Sequence, residues 1–216
     1  MSKWNSLKEF FLYLNEKCEY VILRNWDTLE DETPYKVGHE DVDILCADLG
    51  KFISISGAKK IHALDTRNNY VIEIAGKNVR FDIRFVGDGY YDENWERSMI
   101  VNRVKYCSFY IMDEEDFKYS LVYHAMVQKQ FVSDDYGNKL KGIFDSNSAS
   151  NTMEQKFLLE ALVEYCNQNN YHAEIPSDPG VIFNKKNALA IGIKHNIRRE
   201  IKRMQFRLMM KLHMNV

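Results

Sequence analysis

The chain has few of the residues that break or bypass a packed interior. Three prolines and ten glycines among 216 residues exclude collagen-like, proline-rich and low-complexity architectures. No stretch approaches the roughly 18 consecutive apolar residues that a membrane-crossing helix needs. The four cysteines, Cys18, Cys46, Cys107 and Cys166, are widely spaced. With no C-x-x-C pair and no histidine at ligand spacing, they indicate neither a zinc site nor a disulfide framework, and suit a reducing cytoplasm. Net charge is only −2, with a sequence pI near 6.3, so there is no global attraction to nucleic acid or to an anionic surface. The apolar run Phe10-Phe11-Leu12-Tyr13-Leu14 is flanked by Lys8, Glu9, Glu16 and Lys17. No small-residue cleavage site follows, so it reads as a helix and not as a signal peptide.

What is present describes a folded chain. Apolar residues make up 45%, aromatics 13% and charged residues 28%, enough to bury a core and inconsistent with disorder. The charge is unevenly distributed. From Lys185 onward there are nine Lys or Arg and one acid, Glu200, giving +8; the preceding 184 residues carry 20 basic and 30 acidic side chains, giving −10. An acidic body with a basic tail constrains any functional reading.

The pattern is α/β first and helical later. Leu7, Phe10, Phe11 and Leu14 predict a helix over about 6–17, followed by a buried strand at Tyr20–Leu23. A loop at 27–38 leads to a strand at Asp41–Cys46 and a short helix at Ala47–Ser56. A weak strand at Lys59–Leu64 and clearer ones at Val71–Ala75 and Val79–Val86 come next, the last two joined by Gly76-Lys77-Asn78 as the turn. Asp113 caps a helix expected to reach Lys129, and Asp134 and Asp135 after Ser133 start another. Asn151 with Glu154 forms a capping-box pattern before a helix to Asn167. The breaker Pro176-Ser177-Asp178-Pro179-Gly180 precedes the tail. These features predict an α/β (α+β) core over 1–110, a helical region over 111–175, and a linker with a basic amphipathic helix over 176–216.

Three strand aspartates carry the chemical signal. In Asp41-Val42-Asp43-Ile44, the two-residue period puts both carboxylates on one face and Val42, Ile44 and Cys46 on the other. Side chains two apart along a strand lie roughly 7 Å from each other, close enough to share a cation. In Val79–Phe85, Asp82 lies opposite the apolar set, between Arg80 and Arg84. Two neighbouring acids with a third on a later strand can hold two Mg²⁺ (or Mn²⁺) ions. Hard divalent cations take oxygen ligands, and substrate phosphates complete the shell. The same residues also suit a solvated strand face with a surface ion-pair ladder.

On the stretches Tyr20-Val21-Ile22-Leu23-Arg24-Asn25, Glu40-Asp41-Val42-Asp43-Ile44-Leu45 and Arg80-Phe81-Asp82-Ile83-Arg84, the chain resembles the nucleotidyltransferase-fold superfamily that includes DNA polymerase beta. It is most similar to bacterial branches with an L-R-G-like strand end before a D-[IV]-D strand, and to the phosphocholine-transferase and fukutin-related branch. The likeness covers about residues 5–90. It implies a nucleotidyltransferase-like mixed sheet, with Asp41 and Asp43 as ligands of both metals. Asp82 would be the third carboxylate, which orients or deprotonates the acceptor hydroxyl. The superfamily's Gly-Ser pair, which grips a nucleotide triphosphate, is replaced here by Arg24-Asn25; Arg24 and Arg84 are the expected phosphate contacts, with Asn25 beside them. The resemblance further implies a nucleotide or nucleotide-activated donor and a surface glycan, its precursor or another hydroxyl acceptor.

Two residues of the Asp113 helix, His124 and Lys129, are further candidates for phosphate or sugar contacts. Each also has a plain structural reading, His124 as a hydrogen-bonded helix residue and Lys129 as a partner of the helix C-terminus. In the tail, Ile193, Ile197, Ile201, Met204, Leu208 and Leu212 recur every three or four residues among Arg and Lys. Such a helix suits an anionic membrane surface, a partner's groove or docking on the acidic body; nucleic acid is disfavoured because Phe206 is the only aromatic in the basic run.

The expected function is metal-dependent transfer of a nucleotidyl or substituted phosphoryl group to a hydroxyl, in polysaccharide biosynthesis, in the cytoplasm or peripherally at the inner face of the membrane. The alternatives are a non-catalytic relative acting as a binding or regulatory module, and a D-x-D glycosyltransferase using a nucleotide sugar.

Overall fold

The computed structural model describes residues 3–29, 41–61, 68–144, 155–172, 181 and 183–193, with positions 201, 204, 205 and 208 beyond them. The chain divides into two compact units, Met1–Asp88 with Glu93–Asp116, and Gly89–Asp92 with Phe117–Val216.

The first unit opens with α1 (Leu7–Lys17), which starts where the Ser6 hydroxyl accepts the Glu9 amide proton and so satisfies a donor the helix cannot pair internally. It buries Phe10, Phe11 and Leu14. The chain then leaves the helix at Cys18 in extended backbone and enters β1 (Tyr20–Ile22). A single 3-10 turn at Trp26–Thr28 precedes β2 (Asp41–Cys46) and α2 (Leu49–Ser56). The Asp48 carboxylate caps α2, and Gly57 ends it at φ +75, donating its amide to the Ile53 carbonyl, the left-handed stop that glycine allows most readily. The remaining elements are β3 (Lys59–Lys60), β4 (Asn69–Ile74), β5 (Lys77–Phe85), α3 (Glu93–Val101), β6 (Val104–Tyr106) and β7 (Phe109–Ile111).

Among the described residues, seven strands form one mixed sheet in the order β3-β4-β5-β2-β1-β7-β6. β2 with β5 and β1 with β7 run parallel; the other neighbours are antiparallel. One face is apolar because alternate residues of adjacent strands coincide. Tyr20 and Ile22, Val42, Ile44 and Cys46, Tyr70, Ile72 and Ile74, and Val79, Phe81 and Ile83 join Phe10, Phe11, Leu14 and Phe52 of the helices in a single core. Phe10 meets Phe81 edge-on at 5.7 Å between ring centroids, and Phe11 meets Phe109 at 5.3 Å. Against the other face, α3 lies on β1 and β2 and buries Trp95, Met99 and Ile100. Val21, Leu23 and Leu45, which alternate away from the core, are therefore fully buried as well.

In the second unit, α4 (Glu114–Met126) begins at the boundary, where the Asp113 carboxylate accepts the Asp116 amide proton. Every side chain from Leu121 to Met126 is buried, the signature of a helix surrounded by other structure. It is followed by α5 (Asp134–Phe144), α6 (Gln155–Gln168) and α7 (Lys185–Ala190). Tyr119 stacks on Tyr165 at 4.0 Å, and α7 is pinned to the end of α4 by Asn187 Nδ2 donating to the Met126 carbonyl and Asn184 N–H to that of Val127. From Glu114 onward the regular elements among the described residues are all helices, and none is long and apolar enough to cross a membrane.

Several expected boundaries are corrected. The β4–β5 turn is Ala75-Gly76, with φ of 51° and 74°, and Lys77 and Asn78 belong to β5. The two left-handed residues match the twist of a tight hairpin, and alanine conceals the first. The Asp113 helix stops at Met126, because Gln128 folds back to donate its amide to the Tyr90 carbonyl. The α2 helix starts at Leu49, since Asp48 serves as its cap. Residues 62–64, the Asn151–Glu154 pattern and the breaker at 176–180 lie outside the described residues. So does most of the tail.

Candidate active site

The parallel register of β2 and β5 assembles the site. It sets Asp41 beside Arg80, Asp43 beside Asp82 and Leu45 beside Arg84, and residues paired in register share a face of the sheet. The intervening Val42, Ile44, Phe81 and Ile83 are held in the core, so their neighbours have no choice of side. The carboxylates of Asp43 and Asp82 thus face the same way from adjacent strands. Asp41 stands at the exposed start of β2, and Asp43 is half-buried.

Arg24 arrives from β1. The Leu23 amide donates to the Asp43 carbonyl at 2.9 Å, which extends the ladder past the strand end and delivers the next side chain over β2. Arg24 Nη2 then donates to Asp43 Oδ1 at 2.7 Å, with both side chains largely withdrawn from solvent. Asn25 follows in the left-handed conformation, φ 56° and ψ 25°, and turns the chain out of the sheet into the 3-10 turn. Asparagine is one of the few side chains that accept this geometry.

Asp82 is the perturbed carboxyl of the site. Arg84 Nη2 donates to its Oδ2 at 2.9 Å, while Oδ1 is sealed from solvent with no hydrogen-bond partner. Burial raises its carboxyl from the ordinary 3.8 to about 6, assisted by the Asp43 charge and opposed by the Arg84 and Arg24 guanidiniums. The side chain as a whole is 16% exposed; the burial that matters is local to Oδ1. A carboxylate beside another carboxylate and short of hydrogen bonds holds its proton more tightly.

Asp41, Asp43, Asp82 and Arg84 therefore share one face of β2 and β5, with Arg84 level with Leu45, and Arg24 and Asn25 follow the end of β1 beside them. His124 and Lys129 belong to the second unit. His124 is buried, with Nδ1 at 3.1 Å from both Tyr90 Oη and Gln128 Oε1 and its ring edge-on to Tyr136. Lys129 is exposed beyond the end of α4.

The donor set suits a divalent cation in kind, since it offers hard carboxylate oxygens and one of them, Asp82 Oδ1, is an acceptor with nothing to accept. Among the described residues, however, no three His, Cys, Asp or Glu side chains converge on one point closely enough to enclose an ion. In their place, two guanidiniums neutralise Asp43 and Asp82. A cation entering here would take over charge that Arg24 and Arg84 now supply.

No family model, curated protein or solved structure matches this chain. Its chemistry is therefore argued from the site itself.

Buried acids that the sequence pattern did not single out surround the exit from β5. Glu96 is fully buried and accepts the Gly87 amide proton at 2.7 Å; Asp88 accepts from Asn68 Nδ2. Trp95 Nε1 donates to the buried Asp116 at 2.7 Å. The Glu96 and Asp88 contacts fix the chain where it leaves β5. The available signal was the helical spacing of Trp95 and Met99, which makes the adjoining Glu96 an acid on a buried face.

Proposed function

We propose that the protein is a metal-dependent transferase with a nucleotidyltransferase-like core, moving a nucleotidyl or substituted phosphoryl group to a hydroxyl on a surface glycan or its precursor. The observation that carries this reading is the register pairing of Asp43 with Asp82 on adjacent parallel strands, with Asp82 Oδ1 sealed and unpartnered. Like charges are set side by side on a sheet face only against a stability cost, and a bound cation relieves it.

Asp41, Asp43 and Asp82 would hold Mg²⁺ or Mn²⁺, which when bound supplies neutralisation of phosphate charge and acidification of a nearby hydroxyl. The chain's own groups do the rest. Asp82, with its carboxyl at about 6, is ionised at neutral pH yet basic enough to take the acceptor's hydroxyl proton once Arg84 has been drawn off its Oδ2. Arg24 and Arg84 bear planar guanidinium forks on the paired Asp43 and Asp82, suited to phosphate oxygens. Asn25 holds the turn that keeps Arg24 over β2. The arginines and a nucleotide's phosphates carry opposite charges, so donor binding draws them off the carboxylates and readies the site for the cation.

A second reading, a non-catalytic binding module, is favoured by one observation: Asp43 and Asp82 are each already paired to an arginine. Thermal melting against ATP, CTP, GTP, UTP, CDP-linked alcohols and nucleotide sugars, with and without Mg²⁺ or Mn²⁺, separates the two. A ligand at about 100 times its Kd adds near 2.7 kcal/mol, so a working site gives a metal-dependent rise with one donor that Asp43→Ala abolishes. Nucleotide binding that is indifferent to metal supports the module, and no shift with any donor sinks the transferase reading.

A further inference from the structure

The tail's apolar stripe divides after Ile193. Ile193 is buried, and α7 before it is tied to the end of α4. Three positions further along the stripe, Ile201, Met204 and Leu208, are 45%, 61% and 62% exposed. They are spaced three and four apart, so on a helix they share one face, and all three side chains on it are exposed. Around them the sequence supplies Arg198, Arg199, Lys202, Arg203, Arg207 and Lys211 against the single acid Glu200. The surface that covers these residues must therefore accept apolar side chains and attract positive charge together. Nucleic acid offers the charge without an apolar medium. An anionic bilayer offers both at the depth where a basic amphipathic helix lies, with its apolar face in the headgroup boundary and its Lys and Arg among the lipid phosphates.

We propose that the segment containing Ile201, Met204 and Leu208 docks on an anionic membrane surface and holds the protein there. The contact is peripheral and reversible, and it does not depend on the transferase reading.

The test is flotation of the full chain with vesicles of phosphatidylcholine alone or mixed with phosphatidylglycerol, at low and physiological salt. Two variants accompany the wild type, Ile201→Gln/Met204→Gln/Leu208→Gln and Lys202→Gln/Arg203→Gln/Arg207→Gln. The wild type is expected to bind the anionic vesicles at least about tenfold more tightly than the neutral ones, and both variants to fall to the neutral level. Their melting temperatures should stay unchanged, because the three apolar side chains are exposed. Equal binding to both vesicles, absence of binding, or undiminished flotation of the Ile201/Met204/Leu208 variant overturns the proposal. So does sedimentation as a dimer that this variant dissociates, which would make a second copy the occupant, or tighter binding to a DNA duplex than to anionic vesicles.

Discussion

Asp82 makes the stability of the first unit depend on pH with an unusual sign. Its carboxyl is raised from 3.8 to about 6, and each tenfold gain in proton affinity is worth about 1.4 kcal/mol, so the protonated form is favoured in the folded protein by about 3 kcal/mol. Because the folded value lies above the unfolded one, this contribution is fully present below about pH 4 and is lost as pH rises through about 6. Most paired carboxylates behave the other way. Asp82→Asn removes the titration while leaving Arg84 an acceptor, so the difference between the two proteins reports this group together with its interaction with Asp43. Urea unfolding followed by tryptophan fluorescence, from about pH 4 to about pH 8, should show the wild type losing about 3 kcal/mol relative to the variant across that window. Carbon-13 NMR of the Asp82 carboxyl should give a midpoint near 6. A difference that is flat with pH, or that grows in favour of the wild type as pH rises, would refute the idea of a sealed and under-bonded carboxylate.

Other consequences follow from single contacts. Ser6→Ala removes the hydroxyl that caps α1 and should lower stability by about 1 kcal/mol in the same unfolding assay. Phe10→Ala, in the middle of the core against Phe81, Phe11 and Trp4, should remove about 3–5 kcal/mol. Ala75→Gly relieves a left-handed alanine while keeping the amide that donates to the Trp4 carbonyl; a gain of about 0.5–1 kcal/mol is expected, and a loss would mean that the turn carries no strain. Arg24→Met frees Asp43 from its partner, so titration calorimetry should show Mn²⁺ binding tightened by about tenfold while nucleotide binding weakens. Both changing in the same direction would contradict the roles assigned to Arg24.

The carboxylate face was legible in the sequence because strand alternation is rigid: once Val42 and Ile44 go inward, Asp41 and Asp43 have one place to be. The same holds for Asp82 between Phe81 and Ile83. What the sequence concealed was pairing. Nothing in its spacing says that Leu23 extends the ladder to Asp43 and so lays Arg24 on that carboxylate, since the contact spans nineteen residues of chain. The β6–β7 hairpin and α3 were missed for a different reason. Their turn has Cys107 at φ 49°, where asparagine or glycine would have announced it, and α3 mixes its buried Trp95 and Met99 with charged Glu93, Glu96 and Arg97. Ala75 shifted the expected β4–β5 turn for the same reason, since an alanine does not mark the left-handed position that opens it. Tertiary contacts hold these residues in conformations that local propensity does not advertise.

We propose that Asp41, Asp43 and Asp82 draw together around one divalent cation. Water-proton relaxation during a Mn²⁺ titration of the full chain at about pH 7.5, where Asp82 is ionised, tests it most directly. The expected result is saturable binding by the wild type that is lost in Asp43→Ala and in Asp82→Ala, with both variants still folded by circular dichroism. Binding of equal strength in the wild type and both variants, or no binding by the wild type with or without nucleotide, would contradict it.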